Sequence, residues 1–587
     1  MVNSVSIFNK INKFNYTIDN IGADKSLSIR FILIASMALG KSKGFNILNS
    51  EDVNNTITSL KKLGIKIKKK KNYCEIFGKG LNSFSYKNNT TIDAGNSGTF
   101  ARLIMGVLAS SKNSVIIKGD KSLSSRDFGR VIKPLNLFGV KINSKKNKLP
   151  IKMRGSNFLR PIYYSEDKGS AQVKSCIMLS ALNTFGETTI KCKKSRDHTE
   201  KLFKYLNLPI EISKNKNFEI IKIKGKKQYK GFDYKIPGDI SSASFFIALT
   251  LLGNNSKILL KNINVNKSRT GILDILKKMN AKIKLKNKKI YKGEPIADIS
   301  ISSANKLKAV NCSASFNSRC IDEFLIIFLI CAKAKGVSYF RNLKELRNKE
   351  SDRLKISINF LKMIGIKVVS KSNNLKIYGN PDLKLKKSYV VKNFKKDHRV
   401  FMMSCVAALT FGGHWVINDK NSIKTSFPSF IQLLKKLGAK IDNHEVVMRM
   451  NGAPTKGYEK DVGFKTTFRV QHGGYFGWRE KPEEVCLGKW AAGRDRGSHS
   501  ELEKMARTKV HAINPNFARK SRTDWFTKRD HLPTQGFRAL LILLASCKEV
   551  SAFGFSGGAG WYFDKVKNTF HKMDDKGEGI RKNIYTN

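Results

Sequence analysis

The segment LKKLGIKI, which spans residues 60–67, carries the pattern that indicates the fold of this chain. Its apolar residues before Gly64 fall at helical spacing, and the alternation of apolar and polar residues after the glycine is typical of a strand. A glycine between the two suits the left-handed conformation that commonly ends a helix. The same pattern returns five times, with asparagine in the turn of two copies. Those copies are LNLFGVKI (135–142), YLNLPIEI (205–212), LKKMNAKI (276–283), LKMIGIKV (361–368) and LKKLGAKI (434–441).

The six turn residues lie 68 to 85 residues apart. This period is longer than the roughly 20–50 residues of a solenoid repeat, so each copy belongs to a small α/β module. Six modules predict two domains of three, which we place at residues 25–240 and at residues 1–24 with 241–441. The chain is expected to cross between them at residues 237–239, near a hinge. The pattern ends at residue 441, and the tryptophan-rich remainder, 442–587, is predicted to be a separate segment.

The chain is strongly basic, with a formal net charge of +65 over 587 residues. Such a charge suits a nucleic-acid partner, an anionic substrate or a lysine-biased genome. A nucleic-acid binder usually concentrates its cations in a patch or tail, whereas here lysines follow the whole chain, as at residues 68–71 and 286–289. We therefore interpret most of them as solvated surface and expect no nucleic-acid partner.

The sequence shows no sign of export or of a membrane anchor. The nine cysteines contain no C-x-x-C pair, which suits a reducing compartment and gives no metal-site spacing. The N-terminus lacks the apolar region of a signal peptide, and the longest apolar runs fall far short of the roughly 18 residues of a membrane span. We expect a cytoplasmic protein that acts as a monomer, without a membrane partner.

Short polar motifs precede the predicted helices. Cations and hydroxyls at a helix N-terminus suit phosphate or carboxylate, because the free N–H groups and the helix dipole add to the side chains. Each motif alone is equally compatible with an ordinary helix cap beside a solvated lysine. In chain order they include KSLSIR (25–30), GNSGT (95–99) with Arg102, GDKSLSSR (119–126), SAQVKS (170–175), SRDHTE (195–200) and DHR (397–399).

The most highly charged motif is KESDR at residues 349–353, which follows an apolar run that begins after Asp322 and Glu323. Two cations and two carboxylates this close together are solvated, paired or in contact with a charged ligand. On spacing alone the motif is equally well the opening turn of a surface helix. Its place among the other motifs favours a cleft that binds a ligand with phosphate and carboxylate groups.

The ordered set of motifs, with PGDISSA (237–243) and TSFP (425–428), resembles the EPSP synthase (3-phosphoshikimate 1-carboxyvinyltransferase) family over about residues 15–441. The resemblance implies an α/β fold, a two-domain inside-out barrel of six βαβαββ modules, in agreement with the repeat. It also implies transfer of the enolpyruvyl group of phosphoenolpyruvate to the 5-hydroxyl of shikimate 3-phosphate, in the shikimate pathway to chorismate and the aromatic amino acids, without cofactor or metal.

The resemblance also implies roles for individual residues. Asp322 would take the proton of the 5-hydroxyl, Glu350 would give a proton to the methylene carbon, and Lys25 would contact both ligands. Two carboxylates in different environments suit these two proton transfers. The substrate-binding residues implied are Lys25, Ser26, Arg30, Asn96, Gly98, Arg126, Ser170, Gln172, Ser195, Lys349, Arg353 and Arg399.

The chain departs from the family pattern at several positions. Asp127 stands where proline commonly follows the arginine at 126, and its carboxylate is expected to weaken phosphoenolpyruvate binding. Glu345 stands where some members have a substrate-contacting asparagine. Neither change removes a charged group that the reaction needs.

Residues 442–587 are similar to the eukaryotic-type sialyltransferases of glycosyltransferase family 29. The similarity starts near residue 448 and includes PTQG (533–536), Cys547, Trp561 and His571, but the first half of the large donor-binding motif is missing. We therefore expect an inactive fragment, truncated or misjoined.

Three other functions remain to be distinguished. The cell-wall enolpyruvyl transferase that acts on UDP-N-acetylglucosamine shares the fold, but it typically has a reactive cysteine on a mobile loop, and residues 121–126 contain none. A nucleic-acid binder would show salt-sensitive retention on DNA and no turnover. A sialyltransferase would use CMP-sialic acid as its donor.

Overall fold

The protein is described from a computed structural model. The structure describes residues 3–70, 73–81, 83–215, 218–304, 306–439, 448–450, 466, 468–471, 479, 484–489 and 510–513. The chain divides into two compact units, Ile7–Ile441 and a second that consists of Met1–Ser6 with Asp442–Asn587.

Helices and strands alternate along the larger unit. The helices are α1 Lys25–Ser36, α2 Glu51–Lys62, α3 Gly98–Val107, α4 Lys121–Ser124, α5 Gly129–Leu137, α6 Ala171–Ala181, α7 His198–Tyr205, α8 Ile240–Leu252, α9 Gly271–Lys278, α10 Asn317–Cys320, α11 Phe324–Cys331, α12 Arg353–Met363, α13 His398–Phe411 and α14 Phe430–Lys436. Short 3₁₀ helices lie at Lys145–Asn147, Ala314–Phe316, Lys344–Asn348 and Lys420–Thr425.

The strands are short, and most belong to four-stranded sheets. They are β1 Ser4–Ile7, β2 Asn15–Ile18, β3 Leu39–Phe45, β4 Lys66–Lys69, β5 Tyr73–Lys79, β6 Thr90–Asp93, β7 Ser114–Lys118, β8 Lys141–Ser144, β9 Ile151–Arg154, β10 Tyr163–Glu166, β11 Glu187–Lys193, β12 Ile210–Lys214, β13 Phe218–Lys224, β14 Asp233–Lys235, β15 Lys257–Asn264, β16 Ile283–Tyr291, β17 Glu294–Ser302, β18 Asn311–Cys312, β19 Gly336–Phe340, β20 Val368–Lys371, β21 Asn374–Gly379, β22 Leu385–Val391, β23 Gly412–Asn418, β24 Met448–Met450, β25 Phe468–Gln471, β26 Val485–Lys489 and β27 Val510–Ile513.

Five sheets of the larger unit repeat one topology. Their strand orders are β14-β3-β5-β4, β6-β7-β9-β8, β10-β11-β13-β12, β16-β17-β15-β2 and β18-β19-β21-β20. Each combines a parallel pair with antiparallel neighbours; in the first, β14 runs parallel to β3 and antiparallel pairs follow. A sixth module contributes the parallel pair β22 and β23. The predicted mixed α/β modules are confirmed.

In each module the repeated turn connects a helix to the strand that follows it. All six predicted turn residues have a positive φ, from 50° at Asn207 to 96° at Gly139. After α2, Ile65 N donates to Leu60 O at 3.0 Å and Gly64 N to Lys61 O at 3.1 Å, the pair of bonds that closes a helix on a left-handed residue. The strand expected after Gly438 falls on residues outside the described part of the chain.

The cores are built from helices that are buried along much of their length. All eight residues of α11 are buried, as are all thirteen of α8. Helices α3 and α6 approach so closely that a Cβ at Gly106 would lie 2.3 Å from Cys176 O, which explains the glycine. Because these helices lie inside, the polar residues at their first turns lie at the edge of the core, close to one another.

One hydrophobic core extends from Ala23 to Ile236, and the chain crosses its border twice. The two crossing segments pair, with Asp24 N donating to Pro237 O at 2.8 Å and Asp239 N to Gly22 O at 3.0 Å. This is where the hinge was expected. The division into residues 25–240 and residues 1–24 with 241–441 stays a prediction.

The described residues of the C-terminal unit form a parallel sheet in the order β24-β25-β26-β27. Arg469 in β25 is fully buried and its Nε donates to Glu484 Oε2 at 2.8 Å. Positions 533–536, Cys547, Trp561 and His571, which carried the sialyltransferase resemblance, lie outside the described residues. In the part of the chain that is described, no helix has the length and apolar character needed to cross a membrane.

Candidate active site

A cleft of about 2850 Å³ lies where the first turns of several helices meet in the larger unit. Its lining includes the starts of α1, α6 and α13, and the loops before α7 and α12. Free N–H groups and the positive ends of helix dipoles therefore face the same space as many lysine and arginine side chains. The cleft is suited to a ligand with several negative charges.

The first wall is the N-terminus of α1, where Asp24 accepts a hydrogen bond from Leu27 N and caps the start of the helix. Lys25 Nζ lies 2.9 Å from Asp52 Oδ2 on α2. Burial raises the pKa of Asp52, and the ammonium of Lys25 opposes that rise. The lysine is thus held at the helix start beside Ser26, and both line the cleft.

A second wall combines the glycine-rich turn with Arg126. Asn96 Nδ2 donates to Asp120 Oδ2 at 2.6 Å, which directs its oxygen towards Arg126 Nη2, 3.2 Å away. Gly98 lies behind this pair. A Cβ there would lie 2.8 Å from Arg102 Nη1 and 3.2 Å from Arg126 Nη1, so glycine allows the two guanidinium groups to approach.

A third wall is the start of α6, where Ser170 Oγ caps the helix by accepting from Val173 N. Gln172 Oε1 accepts from Arg102 Nη1 at 3.2 Å, and Gln172 Nε2 donates to Thr99 Oγ1 at 3.0 Å. Nearby, the buried Ser195 Oγ has no hydrogen-bond partner among the described residues. Its hydroxyl is available to a ligand.

A further part of the site is organised by Arg353, whose side chain is 1% exposed. Its Nη2 donates to Glu350 Oε2 at 2.6 Å and its Nη1 to Asp322 Oδ1 at 3.3 Å. Its Nε donates to Asp397 Oδ2 at 2.9 Å. One guanidinium thus fixes both candidate catalytic carboxylates, and a buried third carboxylate balances its charge.

Further cations surround Asp322. Arg196 Nη2 donates to its Oδ2 at 2.5 Å, and Lys349 Nζ lies 3.9 Å from its Oδ1. Arg399 Nη1 donates to the Asp322 carbonyl oxygen at 2.9 Å. Burial lowers the pKa of Lys349, although Asp322 opposes that effect.

The two candidate carboxylates are both held in the ionised form. Burial alone would raise the pKa of Asp322, but Arg196, Arg399, Lys349 and Arg353 outweigh it and hold that pKa well below its usual value. Burial likewise opposes ionisation of Glu350, yet the charge of Arg353, with Arg126 3.8 Å away, holds its pKa well below the usual value.

His398 is a neutral group in the same cleft. Burial lowers its pKa to about 3, and the charges of Lys25 and Arg399 act in the same direction. Its Nδ1 lies 3.4 Å from Thr425 Oγ1, whereas its buried Nε2 has no hydrogen-bond partner among the described residues.

The cleft brings together most of the residues predicted from the sequence. Those that line it are Lys25, Ser26, Asn96, Arg126, Ser170, Gln172, Ser195, Asp322, Lys349, Glu350 and Arg399. Arg30, Gly98 and Arg353 do not line it. Arg30 is buried behind Ser26, where its Nε donates to Thr199 Oγ1 at 2.9 Å and its Nη2 to Ser175 Oγ at 3.1 Å. Direct contact of these three residues with a ligand stays a prediction.

The lining residues that the predicted site did not include comprise Arg102, Arg196 and His398, among others. Each of these three lies within or beside a quoted motif, so the sequence signal existed. Arg196 stands directly after Ser195 and pairs with Asp322, a residue 126 positions further along the chain. No sequence pattern indicates that Arg196 and Asp322 form a pair.

The two departures from the family pattern have structural partners. Asp127 Oδ1 accepts from Gly129 N at 2.8 Å, so the carboxylate stabilises the turn before α5. Glu345 accepts from Arg130 Nη2 at 3.2 Å and from Arg130 Nη1 at 3.4 Å. The predicted loss of phosphoenolpyruvate affinity through Asp127 stays a prediction.

A buried contact between a histidine and a glutamate joins α7 to β17. His198 Nδ1 lies 2.7 Å from Glu294 Oε1, and Asn264 Nδ2 donates to Glu294 Oε2 at 2.9 Å. Burial opposes ionisation of Glu294, but the neighbouring His198 and these hydrogen bonds lower its pKa to about 2.

Glu294→Gln is expected to destabilise the protein most at neutral pH. The folded-state pKa lies below the ordinary 4.5, so the ionised carboxylate stabilises the fold above pH 4.5, and this is lost as the pH falls towards about 2. Urea unfolding of both proteins at about pH 7 and about pH 3.5 should show a smaller difference in stability at the lower pH. A difference that grows on acidification would contradict the assignment.

The described residues contain no group of three or more His, Cys, Asp or Glu side chains placed to bind a metal ion. The cleft instead combines fixed cations for anionic groups with two carboxylates that differ in their neighbours. Such a site is suited to transfer protons and to stabilise negative charge on a bound ligand.

Comparison with known proteins agrees with this geometry. Residues 8–454 match the model of the family described as EPSP synthase (3-phosphoshikimate 1-carboxyvinyltransferase). The chain is 38% identical over 423 residues to the 3-phosphoshikimate 1-carboxyvinyltransferase of Ruthia magnifica subsp. Calyptogena magnifica, covering 72% of this chain and 95% of the relative. The corresponding protein of Vesicomyosocius okutanii subsp. Calyptogena okutanii is 39% identical over 422 residues, with the same coverage.

Solved structures give the same result. EPSP synthase from Acinetobacter baumannii superposes with a TM-score of 0.67 at 31% identity, over 75% of this chain and 99% of that one. The enolpyruvyl transferase NikO from Streptomyces tendae superposes with a TM-score of 0.60 at 14% identity, over 75% of this chain and 98% of that one, a likeness of fold alone. Residues 487–582 match glycosyltransferase family 29 (sialyltransferase).

Proposed function

Because this chain belongs to the EPSP synthase (3-phosphoshikimate 1-carboxyvinyltransferase) family, we propose that the cleft binds phosphoenolpyruvate and shikimate 3-phosphate together. The enzyme transfers the enolpyruvyl group of phosphoenolpyruvate to the 5-hydroxyl of shikimate 3-phosphate and releases phosphate. The observation that carries the proposed roles is the position of Arg353 between Asp322 and Glu350, in a wall otherwise rich in cations.

In the first step the 5-hydroxyl oxygen attacks C2 of phosphoenolpyruvate. Asp322 accepts the hydroxyl proton, a role suited to a carboxylate that its neighbours keep ionised. Glu350 gives a proton to C3, so the methylene becomes a methyl group and a tetrahedral intermediate forms. The added proton and the new C–O bond balance the lost double bond.

Glu350 must be protonated for this role, whereas Arg353 and Arg126 favour its ionised form in the free cleft. We propose that phosphoenolpyruvate reverses this balance. Its phosphate and carboxylate engage Arg126 and bring negative charge close to Glu350, and both changes raise the pKa of a neighbouring carboxyl.

In the second step the bond between C2 and the phosphate oxygen breaks. C3 gives up a proton to Glu350, which restores the double bond. The leaving phosphate takes the proton that Asp322 accepted in the first step, so both carboxyl groups return to their starting states. Lys25, Arg126, Lys349 and Arg399 stabilise the charge on the intermediate and on the leaving phosphate, because fixed cations need no reorganisation during the reaction.

The remaining predicted contacts complete the proposal. Ser170, Gln172 and Ser195 bind shikimate 3-phosphate, and Asn96 orients Arg126 towards phosphoenolpyruvate. Arg30, Gly98 and Arg353 are proposed to contact the ligands as well, and they also hold neighbouring cleft residues in place. The enzyme acts as a monomer in the cytoplasm, without nucleic-acid or membrane partners.

The test is phosphate release by the full chain. Release should require both phosphoenolpyruvate and shikimate 3-phosphate, and UDP-N-acetylglucosamine should not replace the latter. Folded protein that releases no phosphate with both substrates would refute the proposal. CMP-sialic acid serves as a further trial donor, since residues 487–582 match a sialyltransferase family.

A further inference from the structure

The loop of residues 265–270, between β15 and α9, contacts three aspartates that each stand immediately before a helix of the cleft. These are Asp24 before α1, Asp197 before α7 and Asp239 before α8. Asp24 and Asp239 also belong to the two segments in which the chain crosses the border of the core. The loop therefore contacts residues that hold several walls of the cleft in position.

Arg269 makes the central contacts of this loop, and its side chain is 3% exposed. Its Nη1 donates to Asp24 Oδ2 at 2.5 Å, and its Nη2 to Asp239 Oδ1 at 3.1 Å. Each aspartate uses its other contacts to cap a helix, Asp24 through Leu27 N and Asp239 through Ser241 N. The guanidinium thus fixes the distance between the N-termini of α1 and α8.

The same guanidinium is linked by hydrogen bonds to the segment that carries Asp322, the proposed base. Its Nη2 also donates to Ser241 Oγ at 2.7 Å, and that hydroxyl donates to Glu323 Oε1. Glu323 is buried and is the neighbour of Asp322 in the chain. A continuous set of hydrogen bonds therefore joins the start of α1, which carries Lys25 and Ser26, to the segment that carries Asp322.

The loop holds the start of α7 as well. Asn266 Nδ2 donates to Asp197 Oδ1 at 2.7 Å, and Ser268 Oγ donates to the same atom at 2.9 Å. Asp197 follows Arg196, the partner of Asp322. Two of the cations that line the cleft, Lys25 and Arg196, thus lie next to an aspartate that this loop contacts.

We propose that Arg269 is a positioning residue of the transferase reaction, which holds the N-terminus of α1 in register with Asp322. The inference rests on the proposed function. The competing explanation is that Arg269 only neutralises two buried carboxylates, a role in which any cation would serve. A guanidinium is a planar fork that binds two carboxylates at a fixed separation, whereas lysine offers one point charge.

Arg269→Lys separates the two explanations because it keeps the charge and removes the fork. We expect folded protein in which kcat for phosphate release falls at least about tenfold, since small misplacements of reacting groups are costly. Amide hydrogen exchange in the first turn of α1 should become faster, while exchange in the middle of α2 stays unchanged. Lys222→Met, which removes the surface pair with Glu187, is the control and should change neither quantity.

The triple variant Asp24→Asn, Asp239→Asn, Arg269→Met removes all three charges and keeps side chains that cap helices. The single variant Arg269→Met is expected to lose thermal stability. We expect the triple variant to regain much of that stability, while its kcat for phosphate release stays low. Unchanged kcat and exchange in Arg269→Lys, or recovery of kcat together with stability in the triple variant, would overturn the inference. If the unsubstituted chain released no phosphate, the proposed function would fail, and the exchange of α1 in Arg269→Lys would still decide whether Arg269 fixes that helix.

Discussion

Glu350→Gln is expected to lower kcat for phosphate release by about 10²–10⁴-fold, the range that a positioned general acid contributes. The amide retains the size of the carboxyl and an oxygen that can accept from Arg353. In the unsubstituted protein, Arg353 Nη2 donates to Glu350 Oε2 at 2.6 Å. It cannot exchange a proton with C3. The KM for phosphoenolpyruvate should stay the same or fall, because one negative charge leaves a cleft that binds an anion.

Steady-state phosphate release at varied phosphoenolpyruvate measures both quantities. Glu187→Gln, which alters a partly exposed pair with Lys222 between β11 and β13, is the matched control and should leave kcat unchanged. A Glu350→Gln enzyme with nearly normal kcat would show that another group supplies the proton.

Asp322→Asn is expected to lower kcat by a similar factor, about 10²–10⁴-fold, because the 5-hydroxyl would lose its proton acceptor. The substitution also removes the anionic partner of Arg196 and one of the partners of Arg353. These cations then attract anionic ligands more strongly. The KM for shikimate 3-phosphate should therefore not rise.

The distinguishing measurement is the binding of shikimate 3-phosphate by calorimetry alongside turnover. Intact binding with lost turnover places Asp322 in the chemical step. Weakened binding with normal kcat would show that Asp322 only orders the cations around it, and its role as a base would be wrong.

The sequence predicted the parts of this fold that local chemistry decides. Gly64 and its five counterparts all adopt the left-handed conformation that the pattern required, and polar motifs do stand at the helix starts. These features are predictable because a helix end needs particular residues whatever surrounds it. The six modules followed from the spacing of those turns.

The sequence did not predict which side chain of a motif faces the cleft. Arg30 and Arg196 both lie in motifs at helix starts, yet Arg30 is buried among Thr199, Ser175 and Ser26, while Arg196 lines the cleft opposite Asp322. The difference depends on how helices from distant parts of the chain pack. The same holds for Arg269, whose partners Asp24 and Ser241 lie 245 and 28 positions away.

The proposed proton transfers at C3 are tested most directly by measuring how much deuterium enters the product when the full chain acts in D₂O. Protonation of C3 and its later deprotonation predict deuterium in the vinyl methylene of the product. Glu350→Gln should form that labelled product much more slowly. A product that forms at the normal rate with no deuterium in its methylene would contradict the central claim that cleft carboxylates add and remove a proton at this carbon.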